Sequence, residues 1–418
     1  MIITELQQLY AAHPNVEGMY RLLQDNSVRH LYCSGLCASA ASLFSSVLIQ
    51  RVECPFVFIL GDLEEAGYFY HDLTQILGTE QVLFFPSSFR RAIKYGQKDA
   101  ANEILRTEVL SRLQKGEEGL CVVTYPDALA EKVVSRKELG DKTLKLHLGE
   151  KVDMDFVTEV LRSYSFEYVD YVYEPGQYAV RGSIIDVFSF SSEFPFRIDF
   201  FGDEVESIRT FEVESQLSKE KKENIVIVPD LSHSLEQRGN GGMVSFLDFL
   251  QPDTLLAMKD FLWLRERIQT VHDEALTAQA IAAREAEENG LISLDGKLID
   301  GGEFTLRALD FRRIEFGTKP TGTPDATVTF NTTAQPIFHK NFDLVAESFH
   351  DYLSRNYALY ICSDSLKQTE RIRAIFEDRG DNISFTSVER TLHEGFADDA
   401  LRLCIFTDHQ LFDRFHKY

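Results

Sequence analysis

No apolar run in these 418 residues approaches the length needed to cross a bilayer, which for a helix is roughly 20 residues. The opening Met1-Ile2-Ile3-Thr4-Glu5 lacks the basic and apolar blocks of a secretory signal, so a cytoplasmic location and no membrane partner are expected. Cysteine is sparse. Cys33, Cys37, Cys54, Cys121, Cys362 and Cys404 sit mostly in or beside apolar runs, without the dense spacing of a disulfide framework. Cys33 and Cys37 are near neighbours, yet no other Cys or His pair completes a zinc set. Buried free thiols and no metal are therefore expected. Positive charge is also short: Lys and Arg number 43 against 66 Asp and Glu, a formal net charge of −23. A wide nucleic-acid grip needs clustered basic side chains to release phosphate counterions, so a protein partner is expected before DNA. The clearest basic run, Arg90, Arg91, Lys94 and Lys98 with Tyr95 among them, reads as a solvated loop.

What is present suits a globular chain: 44% hydrophobic and 26% charged residues. The length exceeds one ordinary core, so two to four domains are expected. Apolar strands at Val28–Ser34, Pro55–Leu60, Val82–Phe85 and Gly119–Thr124 alternate with helical stretches at Ala38–Leu48, Asp62–Leu77 and Asp99–Gln114. Continuous apolar strands between amphipathic helices predict a parallel sheet covered on both faces. From Leu144 to Phe211 the strands turn more polar, with a helix near Met154–Ser163 and a hairpin of Phe196–Phe201 and Glu204–Phe211. A further strand at Thr254–Met258 and a helix at Asp273–Glu288 return to the first style. The fold class expected is thus α/β: a parallel-sheet domain over 1–127 and 212–318, an inserted α+β domain over 128–211, and a small separate α/β domain over 336–418. A Gly-, Thr- and Pro-rich linker, 319–335, would precede the last unit.

Between the strand at Val28–Ser34 and the helix after it lies Gly35-Leu36-Cys37-Ala38-Ser39-Ala40-Ala41-Ser42. A phosphate loop needs a second glycine for close backbone approach, a lysine for charge and a hydroxyl for magnesium. Gly35 and Ser42 stand in register, but Ala40 replaces the glycine and Ala41 the lysine. On spacing alone the segment reads first as an ordinary strand-to-helix turn with a small-residue helix start. The strand that should end in metal-anchoring acids reads Leu255-Leu256-Ala257-Met258-Lys259-Asp260, with a lysine at the anchor position. Two independent parts are missing, so neither nucleotide hydrolysis nor a bound cofactor is expected.

The longest pattern is Tyr168-Val169-Asp170, then Glu174-Pro175-Gly176-Gln177-Tyr178-Ala179-Val180-Arg181-Gly182-Ser183-Ile184-Ile185-Asp186-Val187-Phe188, continued by Pro195-Phe196-Arg197-Ile198-Asp199-Phe200-Phe201-Gly202-Asp203-Glu204. With the degenerate loop, it resembles the N-terminal region of the bacterial transcription-repair coupling factors, itself similar to the first domains of the excision-repair protein UvrB. The missing lysine, the short stretch from Phe85 to Asp99 with no room for UvrB's DNA-clamping hairpin, and the ending Cys404-Ile405-Phe406-Thr407-Asp408-His409-Gln410-Leu411-Phe412 favour the coupling factors. The resemblance implies a non-catalytic module that recruits UvrA through the insert. In the longer protein, further regions would contact RNA polymerase and DNA. The alternative is a UvrB-like ATP-dependent DNA-damage protein.

Alternation in Phe196–Phe201 puts Phe196, Ile198 and Phe200 on one face and Arg197, Asp199 and Phe201 on the other. With the resemblance, this nominates Arg181, Arg197 and Asp199 as partner-binding residues, Asp199 ordering Arg197; Phe188 is nominated beside them, with a core role open. Asp203, Glu204 and Glu206 read as solvated turn acids. The histidines are scattered, and no nucleophile–base set emerges.

Overall fold

The computed structural model describes residues 1–89, 99–231, 242–285 and 296–414; the basic run from Arg90 to Lys98 lies outside the described residues. Seven parallel strands form the first sheet, in the order Ala326–Thr329, His30–Ser34, Arg312–Phe316, Leu255–Met258, Phe56–Ile59, Cys121–Thr124, Val82–Phe84. The central members Phe56–Ile59, Cys121–Thr124 and Leu255–Met258 are buried at every position. This is why their sequences are continuously apolar rather than alternating.

Helices cover both faces, and their ends follow local chemistry. Asp62 caps Leu63–Leu77 by accepting from the Glu65 amide at 2.8 Å. Asp99 caps Ala100–Lys115, which Gly116 closes in a left-handed conformation. The sequence pattern passed over two helices, Ile3–Ala11 and Pro14–Gln24, which precede the first strand. The helix expected from Asp273 starts earlier and spans Phe261–Glu285. Its buried Phe261, Leu264, Ile268, Val271 and Ala275 recur at helical spacing along one stripe.

A second sheet has six strands: Ser218–Lys221, Glu204–Phe211, Phe196–Phe201, Ile184–Val187, Gln177–Arg181, Glu167–Tyr168. The helix Met154–Ser163 packs Val157 and Leu161 into its core. Leu144–His147 pairs with Asn224–Ile227 and sends Leu146, Ile225 and Ile227 into the same core. The compact unit therefore spans 144–227 rather than 128–211, because Val133, Val134 and Leu139 pack into the first core instead.

The third sheet runs Thr332–Ala334, Phe396–Asp398, Leu403–Thr407, Ala358–Ser363, Thr386–Glu389. The stretch expected as a linker holds two strands, one in the first sheet and one in the third. In Ala326-Thr327-Val328-Thr329, Ala326 and Val328 pack on the first core while Thr327 and Thr329 face outward. The β-branched alternation outweighs the neighbouring Gly and Pro residues. The last unit closes a core of its own around Val345, Phe349, Ile361, Phe376 and Phe406, and its Val388, Leu392, Phe396, Leu403 and Ile405 also pack into the first core.

Candidate docking face and degenerate nucleotide loop

The six-stranded sheet shows one face to its helix and the other outward. Phe196, Ile198 and Phe200 point inward as expected, with Ile185 and Val187 from the neighbouring strand. Asp186 lies on the outer face, yet its side chain is 1% exposed because arginines cover it. Arg197 grips it with two hydrogen bonds, Nε to Oδ1 at 2.8 Å and Nη2 to Oδ2 at 2.9 Å. The same guanidinium donates to the Gln216 carbonyl at 3.0 Å and lies 4.4 Å above the Phe211 ring. Arg181 pairs with the same carboxylate while sitting over the exposed Tyr171. Arg209, directly opposite Arg197 across the hairpin, has an Nε with no hydrogen-bond partner among the described residues.

Two expectations change here. Asp199 does not order Arg197; it accepts from Ser183 Oγ at 2.8 Å, and Asp186 does the ordering. Phe188 is buried with Val172, Ala179 and Phe211 in a small cluster beneath this face. It shapes the surface rather than presenting itself. Phe201, at 77% exposed, Tyr168, Tyr171, Tyr173 and, on the helix, Phe156 are exposed aromatics of this unit. Reading the sequence missed Asp186, Arg209 and Tyr171. Asp186 carried a signal, since a lone carboxylate between Ile185 and Val187 in a buried strand demands a partner. Tyr171 carried none, because exposure is set by tertiary packing.

The strand-to-helix turn at 35–42 sits at the carboxyl ends of the first sheet, where open α/β sheets place ligands. Gly35 has φ +82°, and a Cβ there would lie 1.9 Å from the Phe330 carbonyl oxygen. The Cys37 amide donates to Thr332 Oγ1 at 3.0 Å, the Ser39 amide to the Glu394 carbonyl at 3.3 Å, and the Ala40 amide to the Cys37 carbonyl at 3.1 Å. Ser42 and Ser39 both place Oγ 2.7 Å from Asp72 Oδ2. Asp72 Oδ1 accepts from the His393 amide at 2.7 Å, and Ser39 Oγ from the Glu394 amide at 2.9 Å. Burial pushes the Asp72 carboxyl up to about 6, against the lowering by those hydrogen bonds. Lys259 is ion-paired with Glu65. A cleft of about 850 Å³ remains beside the loop, with Asp62, Glu64, Glu65 and Glu394 in its wall.

The turn acids Asp203, Glu204 and Glu206 are exposed. Among the described residues no group of three His, Cys, Asp or Glu could hold a metal, and no helix is long and apolar enough to cross a membrane.

Residues 144–233 match the family model of the UvrB interaction domain. The chain is 29% identical over 46% of its length to a transcription-repair-coupling factor of Escherichia coli K12, and 30% identical over 47% to one of Bacillus subtilis 168; each match covers 17% of the relative. A Staphylococcus aureus RF122 relative of the same name matches at 21% identity over 91% of this chain and 38% of its own length. The chain thus spans well under half of the relatives it matches. In both the matched segment and the length of chain aligned, it resembles the N-terminal, UvrB-like region of the transcription-repair-coupling factors.

Proposed function

We propose that this chain is a non-catalytic recruitment module in transcription-coupled DNA repair, docking UvrA through the outer face of the 144–227 unit. The observation that carries this reading is the convergence of Arg181 and Arg197 on one buried carboxylate, Asp186, beside exposed Tyr171. Two guanidinium groups sharing the single Asp186 carboxylate leave a local excess of positive charge on a strongly acidic chain. Such a face suits a partner that offers carboxylates, because arginine pairs with them in a planar, two-point geometry. Arginine and tyrosine also dominate the energetic centres of protein interfaces.

Two features support the absence of ATP turnover in this segment. No ammonium group stands at Ala41 to meet phosphate charge, and the position where a metal anchor would lie holds Lys259, neutralised by Glu65. The UvrB-like alternative requires nucleotide affinity; micromolar Mg-ATP binding to the chain would restore it.

The test is binding of purified UvrA to the chain and to its Arg181→Ala and Tyr171→Ala variants. Each is expected to weaken binding by roughly 10-fold or more, the scale of an interface hot spot. Unchanged affinity in both removes this face from the reading.

A further inference from the structure

We infer that the former phosphate loop is an intramolecular socket that clamps the third unit, through its 332 and 391–395 segments, onto the first sheet. This goes beyond the recruitment reading and does not depend on it. The loop's amides are the groups that would cradle a phosphate. Here the Cys37 and Ser39 amides are donated to the Thr332 hydroxyl and the Glu394 carbonyl, both from the third unit's side. In return, the His393 and Glu394 amides are accepted by Asp72 and Ser39.

The exchange is reciprocal and buried. Asp72, Ser39 and Ser42 are each 3% exposed or less, and the His393 ring stacks on Tyr68 at 3.5 Å between centroids. Around this polar knot, Leu392 and Phe396 enter the first core. Ser42, which in a working site would serve magnesium, is turned to Asp72 instead. A side-chain hydroxyl and a backbone carbonyl of the third unit's side thus occupy the Cys37 and Ser39 amides of the loop.

The experiment is amide hydrogen exchange on the whole chain with Asp72→Ala. Exchange across 391–396 is expected to rise by at least about tenfold while the strands Phe56–Ile59 and Cys121–Thr124 keep their rates, the signature of local opening. Unchanged exchange at 391–396, or a rise only in step with those strands, overturns the socket. Ser39→Ala gives the same readout should Asp72→Ala fail to fold. A second measurement separates occupancy from the missing lysine. The Ala40→Gly/Ala41→Lys variant restores the loop's sequence and is expected to gain no Mg-ATP binding at micromolar concentration, because the Cys37 and Ser39 amides remain taken by the third unit's side. Micromolar binding with 391–396 still protected would overturn the inference.

Discussion

At the scale of single residues, Arg181 and Arg197 look equivalent in sequence and are not equivalent in the molecule. Arg197 is largely buried, bidentate to Asp186 and stacked on Phe211; Arg181 is 39% exposed and reaches the same carboxylate from the rim. Removing one partner of a buried pair costs about 3–5 kcal/mol, whereas a surface pair contributes about 1 kcal/mol or less. Arg197→Ala is thus expected to lower the stability of the 144–227 unit by about 3 kcal/mol, with Arg181→Ala near neutral, in urea titrations. Equal losses would show that exposure does not separate the two roles. Asp72 gives a second test. Its folded-state value is raised from 3.8 to about 6, so its contribution to stability is complete below about 4 and is lost as pH rises through about 6. The stability of the wild type relative to Asp72→Asn should therefore shrink between pH 4 and pH 7; the variant retains neighbouring Glu394, His393 and Tyr68, isolating the one carboxyl. A difference that grows over that interval would refute the assignment. Asp72 was legible in principle: it shares the apolar stripe of its helix with Phe69, Leu73 and Ile76.

At the scale of elements, period-two alternation located the hairpin Phe196–Phe201 and Glu204–Phe211 with its correct inward face. Strong periodicity survives tertiary context because one face must be buried. The stretch 319–335 failed for the converse reason. Glycine and proline punctuate its first half, and only pairing with the neighbouring strand His30–Ser34 makes Ala326–Thr329 the edge strand of the sheet. The close approach of that edge to the loop makes Gly35 irreplaceable. An alanine there would combine a left-handed backbone with a Cβ 1.9 Å from Phe330 O, a strain of at least about 1 kcal/mol. Gly35→Ala should raise hydrogen exchange in 326–330 without changing the hairpin at 196–211. Loss of protection in the hairpin alone would contradict this.

At the scale of the whole molecule, the arrangement of cores decides what unfolds together. The third unit has a core of its own around Phe349, Ile361 and Phe376, but it also lends Val388, Leu392, Phe396 and Leu403 to the core of the first sheet, and the Tyr10 hydroxyl donates to buried Asp398 at 2.5 Å across the same junction. The 144–227 unit closes its own core around Ile185, Val187, Ile198 and Val205. The sequence marks off the insert by its strand texture and the last unit by its own α/β pattern, but it does not reveal that the last unit also packs into the first core. Long-range burial leaves no local mark on Leu392 or Phe396. Independent cores melt independently when few contacts cross between them, and shared cores melt as one. Scanning calorimetry of the chain is therefore expected to give two transitions rather than three. Arg197→Ala should lower only the transition of the 144–227 unit, by several degrees for a unit of that size. Asp72→Ala should instead move or split the other transition, because it opens the junction that couples the two sheets. A single transition shifted equally by both variants would mean that the insert is not energetically separate, and that the docking face cannot be altered without cost to the sheet carrying it.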